Sequence, residues 1–487
     1  MAAALAALSF VNLGQAQFFR AADGAPTYVH PYDLRVYHPT ARYFAELGFD
    51  GVYEGSVAAL VELAPDLDLA RLADVPLRDL RTHAIVRVRD LGDRIERFRN
   101  RFSPARWKAF VADMRYFHAT LGTHGYLASL LDHGGNATPV WLAVARAAFG
   151  WLPASDPAFL ATAALDLVLL GAAYFSVFRA YGATTALVSL VVFGANDFYM
   201  GGGTNWVGAT LRHDWLAALL FAAAALARDR HLLGGALVGV AACLRAFPGL
   251  ALLGVAALGL TELLRPTSAP PGRRLEAARP ALAVGLGAAG AAAAAVVVSA
   301  VLLGVESWPA WLHKVSLLSR DPHPNHVGLR ALLSFDPAAS DRVAAETAAA
   351  IDWQAAQLTA FAGRQALFLG GGALLTAALL VGCRGPRLDR AMILGFLLVP
   401  VWLYPANYYL HAICLAPLLA GRVDGRPGAA ATTVLAVPLA LAAAQLASYA
   451  TSYLDEHYFI ASALLIAALP VLALVRPGTA ASPVTGA

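Results

Sequence analysis

The sequence predicts an all-α, polytopic membrane protein of about 11–12 transmembrane helices, with a large helical loop after the first helix. Three observations support this fold class: 59% of the 487 residues are hydrophobic, only 14% are charged, and apolar runs alternate with short polar breaks. An ordinary soluble domain carries about 25% charged residues, so a chain this apolar could not keep its surface wet as a soluble monomer. The composition therefore excludes a soluble enzyme, a nucleic-acid-binding protein and a disordered scaffold.

The apolar runs divide the chain into membrane regions and outer regions. In order, we predict a first transmembrane helix at 1–19, an outer (periplasmic) helical loop at 20–138, transmembrane helices within 139–304, a second outer loop at 305–357, C-terminal transmembrane helices within 358–476 and a cytoplasmic tail at 477–487. Beyond the first helix, the predicted spans are 139–152, 158–178, 183–197, 213–227, 232–246, 248–264, 281–304, 359–383, 390–404, 407–421, 430–450 and 458–475. The count stays at about 11–12 because hydropathy does not separate short paired helices from re-entrant ones at 139–152 and 232–264. Residues 20–138 are called the first outer region below, and residues 305–357 the second outer region.

Short basic breaks determine the predicted orientation, because cytoplasmic loops carry an excess of arginine and lysine. Arginines mark the breaks on one side only: Arg179, Arg228, Arg230, Arg265, Arg273, Arg274, Arg279, Arg384, Arg387, Arg390, Arg422, Arg426 and Arg476. Of the 36 basic residues only Lys108 and Lys314 are lysine, which is typical of a GC-rich bacterial genome. We therefore expect a multi-pass protein of the bacterial cytoplasmic (inner) membrane, with both outer regions and nearly all histidines outside.

Capping patterns predict that the first outer region is folded. Ser103 followed by Pro104 is typical of a helix start, and apolar residues then recur at helical spacing as far as a stop at Gly122. His38 followed by Pro39 predicts the start of a second, shorter helix. We expect both helices to be amphipathic and to lie at the membrane surface.

Acidic residues follow the first apolar run, where Asp33, Asp50 and Glu54 lie close together in the sequence. A carboxylate there suits a general base that activates a sugar hydroxyl, or an electrostatic partner for an oxocarbenium-like transition state. The alternative interpretation is that these are solvent-exposed carboxylates of a surface loop, without a functional role. Asp132, which precedes His133 near the end of the same region, is either a helix-end cap or part of the site.

Polar residues also interrupt the membrane regions. Arg212, His213 and Asp214 open one span, and Arg245 separates two apolar runs just before Pro248. Charged side chains are costly there unless they face a cavity or a partner, and a guanidinium can bind a lipid phosphate through two hydrogen bonds. The alternatives are an interfacial ion pair between Arg212 and Asp214, and an Arg245 side chain that snorkels to the interface.

The second outer region concentrates polar residues in the Pro-rich segment 319–337, including Asn325, His326 and Arg330. A polar loop beside a membrane cavity suits the phosphate of a donor or an acceptor. His323 and His326 lie three residues apart without a firm third ligand, so they give only weak support for a divalent metal site. We therefore predict a reaction that needs no metal or other cofactor.

Six short motifs follow one another along the chain: YDLRVYHPTARYF, NATPVW, LRHDW, ARDRHLLGGALVG, RAFPGLALL and DPHPNHVGLRALL. Their order resembles that of the type C (GT-C) integral-membrane glycosyltransferases, in the branch of the polyprenyl-phosphomannose-dependent α-mannosyltransferases. The layout covers most of the chain. The acid of the first motif and the basic-x-x-Pro hairpin of the fifth are the most specific features.

The resemblance implies transfer of a sugar, mannose or another hexose or pentose, from a polyprenyl-phosphate carrier to a glycan, lipid or protein acceptor on the outer face of the membrane. It implies that Asp33 is the catalytic base and that Arg245 binds near the lipid phosphate. The other candidate substrate-binding residues are Arg212, His213, Asp214, Asn325, His326, Asp50 and Asp132. The expected partners are thus the donor, the acceptor and the lipid bilayer, without nucleic acid.

A twelve-span secondary transporter or a flippase-like protein is the alternative function, with Arg245 and Arg212 as substrate or ion sites. Transporters usually show paired halves with matching interrupted helices, and the sequence shows no such pairing. The long, folded first outer region is also hard to explain in a transporter. A membrane scaffold or assembly partner is a third interpretation. The dense polar loops are only weak evidence against it.

Overall fold

The structure, a computed structural model of residues 1–487, consists mostly of helices, in agreement with the all-α prediction. It describes all residues except 65, 196–205, 207, 265–270, 320–321, 323–324, 340–348, 386, 424–425, 452–453 and 477–487. The predicted tail at 477–487 therefore lies outside the described residues. Two small antiparallel hairpins interrupt the helical structure: Phe18–Phe19 pairs with Pro26–Thr27, and Pro76–Arg78 pairs with Ile85–Arg87.

Helices occur in each of the predicted membrane and outer regions. Those from the start of the chain through the first outer region are Ala2–Phe10, Pro31–Arg42, Phe44–Leu47, Val52–Leu63, Gly92–Glu96 and Pro104–Ala128. Those of the membrane regions are Pro139–Phe149, Asp156–Ala195, Asp214–Leu226, His231–Leu244, Ala251–Leu264, Pro271–Leu303, Gln365–Gly382, Leu388–Phe396, Val399–Trp402, Ala429–Thr451 and Leu454–Leu474. The second outer region contributes Ser307–Leu318, Leu329–Ser334 and Ala349–Gly363. The 3₁₀ helices are Asn12–Gly14, Val88–Leu91, Phe98–Arg101, Ser129–Leu131, Phe247–Leu250 and Asn407–Ala420.

Six helices in the described part of the chain are long and apolar enough to cross a membrane: Asp156–Ala195, Phe247–Leu264, Arg273–Leu303, Gln365–Gly382, Ala429–Ser448 and Asp455–Leu474. In the most apolar stretches of Arg273–Leu303 and Gln365–Gly382 only 17% of the residues are buried. Their apolar side chains therefore face outward, as hydrocarbon surroundings permit. These helices indicate a membrane protein, whereas the number of about 11–12 spans stays a prediction.

The long helix Asp156–Ala195 is a hairpin of two helices. Gly182 breaks it with a left-handed φ of 78°. The Tyr174 hydroxyl donates to the Ser189 carbonyl at 3.4 Å, although a straight helix would separate these residues by about 22 Å. The two halves therefore run back along each other, which agrees with the separate spans predicted at 158–178 and 183–197.

The first apolar run differs from its prediction. The helix expected over 1–19 covers only Ala2–Phe10, and positive φ angles at Asn12 and Leu13 follow it. A helix of this length rises about 14 Å, roughly half the thickness of the hydrocarbon core. The predicted first transmembrane helix is thus corrected to a short helix, because the polar residues after Phe10 favour a turn.

The predicted spans at 390–404 and 407–421 also take other forms. The first is divided into Leu388–Phe396 and Val399–Trp402, because Pro400 lacks the N–H that a continuous helix needs. The second is the 3₁₀ helix Asn407–Ala420. Both segments are largely buried among the surrounding helices, so their apolar composition reflects packing inside the protein.

Helix Pro104–Ala128 of the first outer region begins where the capping pattern predicts. The Ser103 hydroxyl accepts the backbone N–H of the third helical residue at 3.4 Å. Gly122 interrupts the helix with a φ of 67°, at the predicted stop. The side chains of Phe110 and Phe117 are fully buried in the core of this region, so the region has its own apolar core.

The second predicted helix of this region starts earlier than expected. It runs over Pro31–Arg42, and His38 and Pro39 lie inside it rather than at its start. His30 is the N-cap, since its Nδ1 accepts the backbone N–H of Asp33 at 3.1 Å. His38 is fully buried, so the prediction of a helix start at His38-Pro39 is wrong, and Pro31 supplies the helix-start proline instead.

The two outer regions contact each other through helix Ser307–Leu318. The Trp311 indole N–H donates to the Asn136 carbonyl at 3.2 Å, and Lys314 Nζ donates to the Phe49 carbonyl at 3.4 Å. Residues that the sequence assigns to the outer side therefore meet at one end of the structure. The orientation of that end in a membrane stays a prediction.

The second outer region is also joined to the C-terminal membrane region by backbone pairing. The Asn407 N–H donates to the Asn325 carbonyl at 2.7 Å, and the Val327 N–H donates to the Pro405 carbonyl at 2.9 Å. His326 and Ala406 form the β-bridge between these bonds. Two segments about eighty residues apart in the sequence are thereby held side by side.

Asp113 connects three parts of the first outer region and its exit. Its carboxylate accepts hydrogen bonds from Arg42 Nη1 at 3.0 Å, the Tyr43 hydroxyl at 2.8 Å and the Ala154 N–H at 2.9 Å. Because the carboxylate is only 2% exposed, Asp113→Ala removes the counter-charge of Arg42, which among the described residues keeps only its bond to the Leu152 carbonyl, and leaves two other donors unpaired. We expect a loss of about 3 kcal/mol in the free energy of unfolding.

Thermal unfolding of the full-length protein in detergent, with limited proteolysis of the first outer region, measures this effect. Asp93→Ala is the matched control, because Asp93 is 90% exposed and its ion-pair partner Arg97 is 72% exposed. An Asp113→Ala protein as stable as the Asp93→Ala protein would contradict the connecting role.

Candidate functional site

A cavity of about 660 Å³ lies where the two outer regions meet the helix ends of the membrane regions. Its wall combines charged residues with aromatic rings and amides. They include Asp33, Tyr37, Asp132, Asn136, Trp141, Arg212, Arg245, Phe247, Trp311, Asn325, His326, Arg330, Tyr404, Tyr408 and Tyr409. The volume falls in the range of about 300–1,000 Å³ that is typical of small-molecule sites.

Six of the nine predicted site residues line this cavity: Asp33, Asp132, Arg212, Arg245, Asn325 and His326. His213 and Asp214 do not line it and are buried next to Arg212. Asp50 lies elsewhere, where its carboxylate pairs with Arg81 Nε at 2.7 Å. The six residues come from five separate segments of the chain, which the fold brings together at this cavity.

Asp33 lies in the first turn of helix Pro31–Arg42, where the helix dipole favours a carboxylate. His30 Nδ1 accepts the Asp33 N–H. Burial raises the pKa of the Asp33 carboxyl, but the charges of His30, Arg212 and Arg245 outweigh burial and hold the pKa below its ordinary value. The carboxylate is 31% exposed and lies 3.7 Å from Arg212 Nη1, so at neutral pH it is ionised and accessible from the cavity.

Asp166, which the sequence analysis did not single out, fixes the backbone at Arg212. It lies in the candidate span Asp156–Ala195 and is fully buried. Its carboxylate accepts the Arg212 N–H at 2.8 Å and the His213 N–H at 3.3 Å, and His213 Nδ1 lies 3.3 Å away. A lone acid within an apolar run was the available signal, because such residues are rarely without a partner.

The alternative ion pair between Arg212 and Asp214 does not form. Asp214 Oδ1 accepts the N–H of its neighbour Trp215 at 2.7 Å. The Arg212 guanidinium instead faces Asp33 and lies 5.0 Å from the centre of the Tyr408 ring. His213 is packed among aromatic rings, 5.2 Å from Phe10, so it supports the wall from behind.

Arg245 lies at the C-terminal end of helix His231–Leu244, where an extended backbone turns the chain before Pro248. The Thr138 hydroxyl donates to the Cys243 carbonyl and so satisfies one carbonyl of that helix end. Within the described residues no hydrogen bond or ion pair reaches the Arg245 side chain, and its Nε is buried. Its guanidinium lies 5.9 Å from the Trp141 ring and is free to bind an anion in the cavity.

Aromatic residues form the wall around the two arginines. Tyr409 packs edge-on against Phe247 with 4.7 Å between ring centres, and Tyr408 packs on Tyr409 at 4.6 Å. No role was predicted from the sequence for segment 404–411, which carries Tyr408 and Tyr409. Its tyrosines face the cavity because the segment pairs with 325–327, a contact that no local pattern reveals.

Asp132 also lines the cavity, and hydrogen bonds hold its carboxylate in place. Its Oδ2 accepts the Gly134 N–H at 3.2 Å and the Tyr53 hydroxyl at 3.5 Å. The adjacent His133 Nδ1 lies 3.0 Å from His83 Nε2. Asp132 therefore caps the local turn and lines the cavity, while its part in a functional site stays a prediction.

Metal ligation was a weak expectation for His323 and His326. His323 lies outside the described residues, and His326 packs against the Tyr404 ring with 3.9 Å between ring centres. Across the residues that the structure describes, no group of three or more His, Cys, Asp or Glu side chains converges as a metal site would require.

Comparison of the chain with protein-family models, curated proteins and solved structures found no match. The resemblance to type C glycosyltransferases therefore stays a prediction. Inference about function depends on the chemistry of the cavity itself.

Lys314 is a buried amine directly behind the cavity wall. Its side chain is 3% exposed, and a Cβ at Gly134 would meet its Nζ at 2.9 Å. Burial lowers the pKa of Lys314 from its ordinary 10.5 to about 8, although Asp132 and Asp50 act in the opposite direction. The sequence places Lys314 in the predicted second outer region but gives no sign that its amine is buried.

The lowered pKa makes the stability of the protein depend on pH. Between about pH 8 and pH 10.5 the unfolded state binds more protons at Lys314 than the folded state, so stability rises with pH through this window. Lys314→Met removes the amine, so we expect greater stability than wild type at neutral pH, by up to about 3 kcal/mol, and no such rise.

Melting temperatures of wild type and variant, measured across this pH window in detergent, test the prediction. Lys108→Met is the matched control, since Lys108 is the other lysine of the chain and is exposed. Parallel pH profiles for wild type and Lys314→Met would show that the buried amine does not titrate in this window.

Proposed function

We propose that the cavity transfers a sugar from a polyprenyl-phosphate carrier to an acceptor hydroxyl, on the outer face of a bacterial cytoplasmic membrane. The observation that carries the proposal is the pairing of an ionised, accessible Asp33 with two arginines, Arg212 and Arg245, in one cavity. The motifs behind the resemblance to type C glycosyltransferases contain Asp33 and Arg245 on distant parts of the chain. Their meeting in one cavity supports that resemblance.

The two arginines suit the phosphate of the donor. Neither guanidinium has a hydrogen-bond partner within the described residues, and Arg212 Nη1 and Arg245 Nε are shielded from solvent by the protein. Such donors are costly to bury unless an anion completes them. A phosphate monoester or diester supplies several acceptor oxygens and the opposite charge, so it fits this position.

Asp33 suits the role of base in the transfer. The acceptor oxygen forms a bond to the anomeric carbon while the bond from that carbon to the phosphate oxygen breaks. The bonding electron pair leaves with the lipid phosphate, whose growing charge Arg212 and Arg245 stabilise. The hydroxyl proton passes to the Asp33 carboxylate, which is ionised at neutral pH because its pKa is held below the ordinary value.

The remaining wall suits a sugar and its lipid. Tyr37, Tyr408 and Tyr409 offer ring faces and hydroxyls to a pyranose or furanose, which binds aromatic faces through its C–H groups. Phe247 lines the cavity and begins the candidate span Phe247–Leu264. Leucines exposed along that helix give the prenyl chain an apolar surface next to the phosphate position.

The first test is Asp33→Asn, which keeps the shape of the side chain but removes the proton acceptor. We expect transfer of radiolabelled sugar from polyprenyl phosphate to the acceptor in native membranes to fall by about 10²-fold or more. The amount of folded protein should be unchanged.

Asp74→Asn is the matched control, because Asp74 belongs to the same outer region and is 73% exposed in a surface ion pair. Transfer at a normal rate by Asp33→Asn would overturn the assignment of the base. Uptake of a labelled solute that depends on Asp33, without any transfer product, would favour the secondary transporter instead.

The second test concerns the phosphate. Arg245→Gln should weaken binding of undecaprenyl phosphate to the purified protein by about 10- to 100-fold, because a charge-assisted hydrogen bond is worth ~1.5–3 kcal/mol. Native mass spectrometry or a fluorescence titration measures the change. Arg245→Lys retains the charge but loses the two-pronged geometry, so we expect an intermediate affinity.

Arg228→Gln serves as the control for charge alone. Arg228 is exposed and lies with Arg179 and Arg230 at a separate, smaller cavity. Equal affinities of the Arg245→Gln and Arg228→Gln proteins would remove Arg245 from the phosphate site.

A further inference from the structure

A third arginine reaches the cavity from a different segment. Arg330 lies in the short helix Leu329–Ser334 of the second outer region and lines the cavity. Its guanidinium lies 4.7 Å from the centre of the Tyr404 ring and 5.0 Å from that of Phe361. These rings hold the planar group in place while leaving its edge available for hydrogen bonds.

The protein gives this guanidinium little to bind. Nη1 donates to the Ser319 carbonyl at 3.1 Å, whereas Nε is shielded from solvent and has no partner. No carboxylate among the described residues forms an ion pair with Arg330, unlike Arg42 or Arg94 in the first outer region. An oriented guanidinium without a counter-charge in a cavity is typical of an anion-binding position.

The cavity wall carries more guanidinium groups than carboxylates, and two of these guanidinium groups form no ion pair within the described residues. Three arginines, Arg212, Arg245 and Arg330, face it together with two carboxylates, Asp33 and Asp132. Asp33 pairs with Arg212, while no ion pair in the described part of the chain involves Arg245 or Arg330. In the proposed reaction the lipid phosphate pairs with Arg245. Arg330 then still lacks an ion-pair partner among the described residues.

Arg330 packs on a different ring from the other two arginines. Arg212 packs on Tyr408 and Arg245 near Trp141, whereas Arg330 packs on Tyr404. Tyr404 precedes the β-bridge residue Ala406 in the chain, and Tyr408 follows it. The arginines of the cavity therefore come from two parts of the fold, the helix ends of the membrane regions and the second outer region.

We propose that Arg330 binds a second anionic group, a phosphate carried by the acceptor, so that donor and acceptor phosphates occupy the cavity together. The assignment to the acceptor rests on the proposed function, whereas the second anion position itself does not. The acceptor is thus an anionic substrate, either a phospholipid or a phosphorylated glycan.

Simultaneous binding is tested with the purified full-length protein and two probes. Undecaprenyl phosphate reports the first position. Glycerol 3-phosphate reports the second in soluble form, and phosphatidylglycerol added to phosphatidylcholine nanodiscs reports it as a lipid. In wild type we expect glycerol 3-phosphate or phosphatidylglycerol to bind equally well with and without saturating undecaprenyl phosphate. Preference for the soluble or the lipid probe distinguishes the two sources of the phosphate.

Arg330→Gln should weaken binding of the second probe about tenfold and leave undecaprenyl phosphate within about twofold of wild type. Arg330→Met retains the packing of the stem on the two rings, so it gives the same result if the glutamine variant is unstable. Arg89→Gln, at an exposed ion pair of the first outer region, should change neither affinity.

Competition between undecaprenyl phosphate and the second probe would overturn the proposal, because a single position would then serve both. Unchanged second-probe affinity in both Arg330 variants would also overturn it. If wild type bound glycerol 3-phosphate through Arg330 but did not bind undecaprenyl phosphate, the proposed function would fail while the second anion position would stand.

Discussion

Removing a guanidinium from water without supplying acceptors costs several kcal/mol, and this constraint organises the cavity. Arg245 is placed at a helix end in an otherwise apolar region, where neighbouring aromatic rings screen it but provide no acceptors. A protein that retains such a residue gains from a ligand that completes it. The large cavity, the ionised Asp33 and the tyrosine wall are all arranged around that unsatisfied charge.

The position of the neighbouring Arg212 depends on a buried carboxylate. The Asp166 carboxylate accepts the backbone N–H groups of Arg212 and His213. It thereby supplies the acceptors that backbone carbonyls would provide in a helix. The Trp141 indole N–H donates to the Leu211 carbonyl at 2.9 Å and satisfies the other side of the turn. Each backbone group of the turn that leaves water thus finds a partner, which keeps the arginine in one orientation relative to Asp33.

Local patterns predicted the parts of the fold that local forces determine. The cap at Ser103 and the break at Gly122 could be read from the sequence because each depends on its immediate neighbours. The helix expected over 1–19 failed because hydropathy averages over the polar residues that end it after Phe10. The tyrosines of segment 404–411 were not recognised as cavity residues because their orientation depends on pairing with a distant segment.

The candidate site was predicted in the same uneven way. Asp33 and Arg245 could be predicted as site residues because a charged residue next to an apolar run is visible in the sequence, even when its contacts are unknown. Asp166 was missed because its role is expressed only through backbone groups forty-six residues away. Asp50 was included because it shares a segment with Asp33, yet a helix separates the two, and Asp50 pairs with Arg81 instead.

The pairing of 325–327 with 405–407 has a consequence for how the protein is made. The wall that carries Tyr408 and Tyr409 belongs to a segment that leaves the ribosome after both Asp33 and Arg245. The first outer region, with its own apolar core, can fold before that point. During synthesis Asp33 and Arg245 are therefore present before the cavity is complete, and the cavity closes only when the late segment pairs with the second outer region.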